Sequence, residues 1–190
     1  MKIYSAMPRP VISQGFGEAN TAPSMLAYYQ SIGLKGHDGI DFRVTCENYI
    51  VKVGGKCEPL YCDIDGSATI TYISTDIGAG YGIVAADEDG EHKHLWWHFD
   101  SINPDLKVGS VISGGTLLGI AGNTGNTTGA HLHRGLYAYS EPYTNGYHGA
   151  VDPAPFFVLI FINDYITTLT QEIGILQKII NLFKQILGLK

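Results

Sequence analysis

At 190 residues the chain holds one domain, or one domain with an appendage. A hydrophobic content of 45% against 16% charged residues suffices for a buried core, and 24 glycines with frequent aromatics fit a β-rich protein with many tight turns. The net charge of −6, with no basic cluster, excludes nucleic acid as a partner, because phosphate binding needs a cationic surface.

The first residues, MKIYSAMPRP, contain no apolar stretch of signal-peptide length, so no classical secretion signal is expected. Residues 1 to about 45 read as irregular and end in Gly36-His37-Asp38-Gly39-Ile40-Asp41-Phe42. In an extended segment, positions 37, 39 and 41 share a face, and the glycine between His37 and Asp41 leaves room for an ion. A helix would also align residues four apart, but Gly36 and Gly39 disfavour one here.

From Val44 to Ile120, short apolar runs alternate with turn signals, which predicts an antiparallel β domain ending near Asp152-Pro153. The runs are Tyr49–Val53, Ala68–Ile73, Gly82–Ala86, His92–Phe99, Val111–Ser113 and Thr116–Ile120; Asp89-Gly90 marks a hairpin. Within His92–Phe99, His94, Trp96 and His98 alternate on one face, so one or both histidines reach the same cleft; His92 sits beside the turn. The glycine-rich run into Thr128-Gly129-Ala130-His131-Leu132-His133 places two of the seven histidines on one strand face, with Leu132 pointing into the core.

Three cysteines, Cys46, Cys57 and Cys62, cannot form a fully paired framework. Ordinary buried thiols are expected, and a turn over Glu58–Tyr61 would allow Cys57 and Cys62 to pair.

His37, Asp41 and one histidine of the 131/133 pair supply three ligands. This is the ligand count of a catalytic zinc that keeps its fourth position for water. The remaining histidine of the pair is then free to handle protons or an oxyanion.

From Leu159 through Ile166, Ile173 and Ile180 to Leu187, apolar residues step by alternating three and four, the pattern of an amphipathic helix with a heptad seam. Ile175, Ile179, Leu182 and Ile186 widen its apolar face, so it must bury against something; self-association or docking to a larger assembly through residues 158–190 is expected. Polar residues such as Asn163, Asp164 and Glu172 keep it from reading as a membrane span.

Taken in order, these motifs resemble the lysostaphin-like, or LytM-type, zinc endopeptidases that cut peptidoglycan cross-links. His37-Asp38-Gly39-Ile40-Asp41 matches the family's His-x-x-x-Asp. Leu95–Ile102 looks like its LYxHLSSI segment, which selects His98 over His94. The glycine-rich run from Lys107 to His133 matches its lead into His-x-His, and Gln14–Gly17 resembles a segment near the domain start. The match covers roughly residues 10 to 157.

The resemblance implies a mainly β, antiparallel domain of the duplicated-hybrid-motif type over residues 1–157, followed by the helix of 158–190. It implies that His37, Asp41 and His133 bind Zn2+, that His98 and His131 polarise the attacking water and stabilise the oxyanion, and that the substrate is a peptidoglycan peptide. A wall enzyme without a leader would act outside the cell after release by lysis, or as part of a phage tail or similar device. The competing reading is a catalytically silent wall-binding or structural tail module; silent relatives lack ligands, whereas all five residues are present here. Two departures bear on peptide preference: Arg134 stands where the family has a large apolar residue, and Glu18 follows Phe16-Gly17.

Overall fold

A computed structural model describes residues 1–8, 10–19, 23–157 and Gln177. The chain divides into a compact unit, Met1–Phe157, and a second, Val158–Lys190. The heptad expectation for 158–190 lies, apart from helical Gln177, outside the described residues. Among the described residues, no helix is long and apolar enough to cross a membrane.

The first unit is built from β1 (Val11–Gln14), α1 (Pro23–Ser31), β2 (Gly39–Arg43), β3 (Pro59–Tyr61), β4 (Ser67–Ser74), β5 (Tyr81–Asp87), β6 (His92–Ile102), β7 (Val111–Ser113), β8 (Leu117–Ala121) and β9 (His131–Ala138). These strands form one antiparallel sheet in the order β1-β2-β9-β6-β5-β4-β7, with β8 pairing both β6 and β3. The mainly β, antiparallel expectation holds. Alternation sorts the two faces. Ile40 and Phe42 of β2, Leu132 and Leu136 of β9, and Trp96 and Phe99 of β6 are all buried in the core. Gly39 and Asp41, then His131 and His133, take the opposite parity on the same strands.

The structure corrects several expectations. The first 45 residues are not irregular throughout, since they hold β1, α1 and β2. Tyr49–Val53 is not a strand but part of a loop. Its backbone polar groups are met sideways: Tyr49 O accepts from Ala130 N at 2.8 Å, and Ile50 O accepts from Asn123 Nδ2 at 2.7 Å. No ladder partner is left for it, and Tyr49, Ile50 and Val53 are exposed.

The cysteines are not all free thiols, and the bonded pair is not Cys57–Cys62. Cys46 lies opposite Cys57 in an isolated antiparallel bridge and forms the disulfide with it. Cys62 is the free cysteine; it is buried against the core, and burial pushes its thiol up to about 11.

Arg134, expected to bear on peptide preference, is not among the residues lining the furrow. It is fully buried, its Nε donates to Asp63 Oδ2 at 2.9 Å, and its guanidinium lies 4.5 Å over the Trp96 ring. Its role is therefore in the core, not in peptide preference.

Candidate metal centre

The site forms where β2, β9 and β6 run side by side. Asp41 pairs with His133, and His133 with Trp97, so the ladder register alone sets Asp41 and His133 in one row. Gly39 lies one pleat along from Asp41. A Cβ at Gly39 would fall 2.7 Å from His133 Cε1 and 2.9 Å from its Nε2. The His133 ring therefore lies flat against the strand where only glycine leaves space. His37 precedes β2 and leans into the same place.

The result is a triangle of ligand atoms. His37 Nε2 is 3.1 Å from Asp41 Oδ1 and 2.9 Å from His133 Nδ1, and His133 Nδ1 is 3.0 Å from Asp41 Oδ1. These three residues form a group whose ligand atoms could hold a metal ion. A tetrahedral zinc at about 2.0–2.1 Å would hold its ligand atoms about 3.3 Å apart, close to this spacing. Two imidazole nitrogens and one carboxylate oxygen also suit zinc chemically.

The donor set is preset by what holds the far side of each ring. His37 Nδ1 donates to Gly15 O at 3.1 Å, His98 Nδ1 to Thr124 O at 2.7 Å, and His131 Nδ1 to Gly129 O at 2.8 Å. Each of these bonds fixes the tautomer, so that Nε2 offers a lone pair inward. His131 Nε2 lies 3.5 Å from Asp41 Oδ2, and the His98 ring centroid is 4.6 Å from that of His131. The five expected residues are thus brought together.

His94 is not among them: of the two, only His98 reaches the cleft, the one the family resemblance selects, and the expected shared face of His94, Trp96 and His98 is broken. The reason is a β-bulge. Tyr81 pairs with Phe99 and Gly82 with Trp97, so His98 is the extra residue, and it sits in the left-handed region at φ 73°. An unbroken strand would carry His98 into the core with Trp96. The bulge instead turns it to the furrow beside Leu95 and Trp97, while His94 stays buried and accepts at Nδ1 from Arg134 Nη2 at 2.9 Å.

A second group, Asp87, Asp89 and His92, also brings ligand atoms together at the β5–β6 turn. Neighbouring His94 does not complete it. With Nδ1 accepting from arginine, its Nε2 carries the proton and has no lone pair for a cation.

Electrostatics follow from burial around one carboxylate. Burial alone would raise the Asp41 carboxyl, but the His133 and His37 imidazoles set against it outweigh burial and hold the group well below the usual carboxylate range. Burial lowers His98 and His131, with neighbouring imidazoles adding to the effect. Burial also works against a charged His133, yet its hydrogen bond to Asp41 and the charge of that group leave it raised.

The site opens into a cavity of about 720 Å³ whose lining includes Met25, Tyr28, Ile32, Leu34 and Asn126–Thr128. Two of the lining tyrosines, Tyr29 and Tyr137, escaped the sequence reading. Tyr29 is buried, its hydroxyl accepts from Gln14 Nε2 at 2.9 Å, and burial pushes it up to about 12. Tyr137 donates to Asp38 Oδ2 at 3.3 Å. Tyr137 falls on the same alternation as residues 131 and 133, a signal that was available; nothing in the sequence connects Tyr29 to the site.

The model of peptidase family M23 matches residues 35–145, more than half of the chain. The glycyl-glycine endopeptidase ALE-1 of Staphylococcus capitis is 33% identical over 82 residues, which is 43% of this chain and 21% of that protein. Lysostaphin of Staphylococcus simulans is 33% identical over 82 residues, 43% of this chain and 15% of that protein. The chain thus spans about a fifth or less of these relatives. The crystallised catalytic domain of lysostaphin superposes with a TM-score of 0.54 at 25% identity, over 77% of this chain and 91% of that domain. A zinc-containing peptidase from Vibrio cholerae is alike in fold, with a TM-score of 0.55 at 22% identity over 80% of this chain and 38% of that one. The chain belongs to peptidase family M23.

Proposed function

We propose that the chain is a zinc-dependent endopeptidase that hydrolyses peptide cross-links of bacterial peptidoglycan, with His37, Asp41 and His133 as metal ligands and His98 and His131 as catalytic residues. The observation that carries the reading is the triangle of ligand atoms 2.9–3.1 Å apart, with two further imidazoles turned toward it. The family match and the likeness to the lysostaphin catalytic domain support the substrate class.

Bound at the triangle, zinc would supply Lewis acidity toward a peptide carbonyl and acidify water. The chain's own residues do the rest. His98 and His131 are held neutral by burial, and Gly129 O and Thr124 O anchor their Nδ1–H groups, so each presents an Nε2 lone pair. Such an imidazole takes a proton from water as it attacks and, once protonated, hydrogen-bonds the carbonyl oxygen or gives the proton to the leaving amine. The furrow around these residues gives the peptide room to lie across the site.

The heptad pattern of 158–190 supports a docking or self-association role for that segment, and with it carriage on a phage particle to the outside of the wall. Light scattering on the full chain and on a version ending at Phe157 tests this; identical monomer masses would refute it.

The enzymatic reading is tested by metal content and by fragment release from purified sacculi of differing cross-bridge chemistry. Stoichiometric zinc and lysis abolished by chelation are expected. His133→Ala should lose metal, whereas His98→Ala and His131→Ala should keep metal and lose roughly 10²- to 10⁴-fold in rate. A zinc-loaded chain that releases no fragments would favour the silent module.

A further inference from the structure

The outer nitrogens of the furrow histidines are not held alike. His37, His98 and His131 each donate Nδ1–H to a main-chain carbonyl. His133 is inverted. Its Nδ1 faces Asp41 and His37, so its Nε2 is the outer nitrogen. The group facing that nitrogen is a carboxylate, Asp38 Oδ1 at 3.8 Å. The other oxygen of Asp38 accepts from the Tyr137 hydroxyl at 3.3 Å, and this side chain is only partly exposed, at 23%.

We propose that Asp38 is a positioning residue for His133: its carboxylate receives Nε2–H, fixes the tautomer that leaves Nδ1 free to bind metal, and is itself held in place by Tyr137. The inference rests on the reading of His37, Asp41 and His133 as ligands, and it extends to the next layer of the site.

Three features converge on it. First, a ring that must bind through Nδ1 must carry its proton on Nε2, and a negative acceptor enforces this more strongly than a neutral one. Second, Gly39 lets the ring lie against the strand, which brings Nε2 toward the residue preceding that glycine. Asp38 and Gly39 are therefore not spacers between two ligands; both serve His133. Third, Asp38 and Asp41 are the only charged residues besides histidine among the described residues that line the furrow, so the Asp38 carboxylate also offsets cationic charge there. The 3.8 Å separation exceeds a direct hydrogen bond; contacts of this kind tighten when the functional complex forms.

Carboxylates behind a metal-bound imidazole typically change metal affinity by about 10- to 100-fold. The test uses the full chain and competition for zinc against a chromophoric chelator. Asp38→Ala should bind zinc about 10- to 100-fold more weakly, and Asp38→Asn, which keeps an acceptor but not the charge, should fall between. Asp38→Glu should recover to within a few-fold, and Tyr137→Phe should lose a smaller factor than Asp38→Ala. The melting temperature of the zinc-free variants should stay at the wild-type value, and long-range proton–nitrogen spectra of the zinc-loaded wild type should show His133 protonated at Nε2. Wild-type zinc affinity in Asp38→Ala, or a His133 protonated at Nδ1, overturns the proposal. So does a loss in Asp38→Ala matched by an equal drop in zinc-free stability, which would mark a packing role. A wild-type chain that holds no zinc overturns the ligand reading itself, and the positioning role with it.

Discussion

Gly39→Ala is a one-carbon perturbation aimed at the geometry on which the site depends. Gly39 is not among the positive-φ glycines, so alanine suits its backbone and the effect is purely one of space. The new Cβ would stand 2.7 Å from His133 Cε1, 2.8 Å from Arg134 O and 2.9 Å from His133 Nε2. Ordinary contact begins at 3.4 Å, so the neighbours must yield by about 0.7 Å at the closest point. Arg134 O belongs to the β2–β9 ladder, where Ile40 pairs with Arg134, so it yields only if the strands part. Otherwise the ring swings and takes Nδ1 away from Asp41 and His37. Overpacking of this kind costs about 1–3 kcal/mol, or a fall in melting temperature of roughly 5 °C for a domain of this size. A displacement near 1 Å at a reacting centre costs about 10²-fold in rate. Zinc competition, thermal melting and sacculus hydrolysis on the same preparation give the three readouts. A variant with wild-type melting, zinc affinity and rate would show that His133 does not need the space at Gly39.

Two predictions concern the buried charges behind the site. Burial first, and the Arg134 guanidinium second, hold the His94 imidazole neutral and push it down to about 2. The unfolded chain takes up that proton near pH 6.5, so the stability His94 contributes is complete above about 6.5 and drains as pH falls toward 2, with a slope approaching about 1.4 kcal/mol per pH unit. Urea titrations of zinc-free wild type and His94→Gln between pH 7 and 5 should show a shallower slope in the variant; parallel slopes would refute the assignment. Arg134→Met leaves the buried Asp63 carboxylate without its ion pair and should cost about 3–5 kcal/mol, most of it recovered in the double variant with Asp63→Asn. Calorimetry on the single and double variants checks this, and additive losses would contradict it.

The parts of the molecule governed by local period were legible in the sequence. Alternation in His131–Leu132–His133 correctly sends Leu132 inward and both histidines to one face, and Asp89-Gly90 marks the β5–β6 hairpin. The same rule misleads in β6, because period-2 reasoning assumes an unbroken strand. The bulge at His98 moves the next residue out of phase and separates His98 from His94. Similarity to the family motif, not periodicity, picked out His98. Tyr49–Val53 had the composition of a strand, but its hydrogen bonds go to the loop leading into β9, a tertiary choice that no local pattern carries. Cys46 and Cys57 meet through the closure of that same loop, and Arg134 finds Asp63 from 71 residues away. Asp38 and Tyr137 were readable in principle, one inside the ligand motif and one on the histidine alternation. Tyr29 was not, because its place in the site depends on how α1 packs.

The most direct measurement is anomalous scattering at the zinc edge from crystals of the full chain grown with zinc. One strong peak is expected about 2.0–2.2 Å from His37 Nε2, Asp41 Oδ1 and His133 Nδ1. A peak at Asp87, Asp89 and His92 instead, or none between the three proposed ligands, would contradict it.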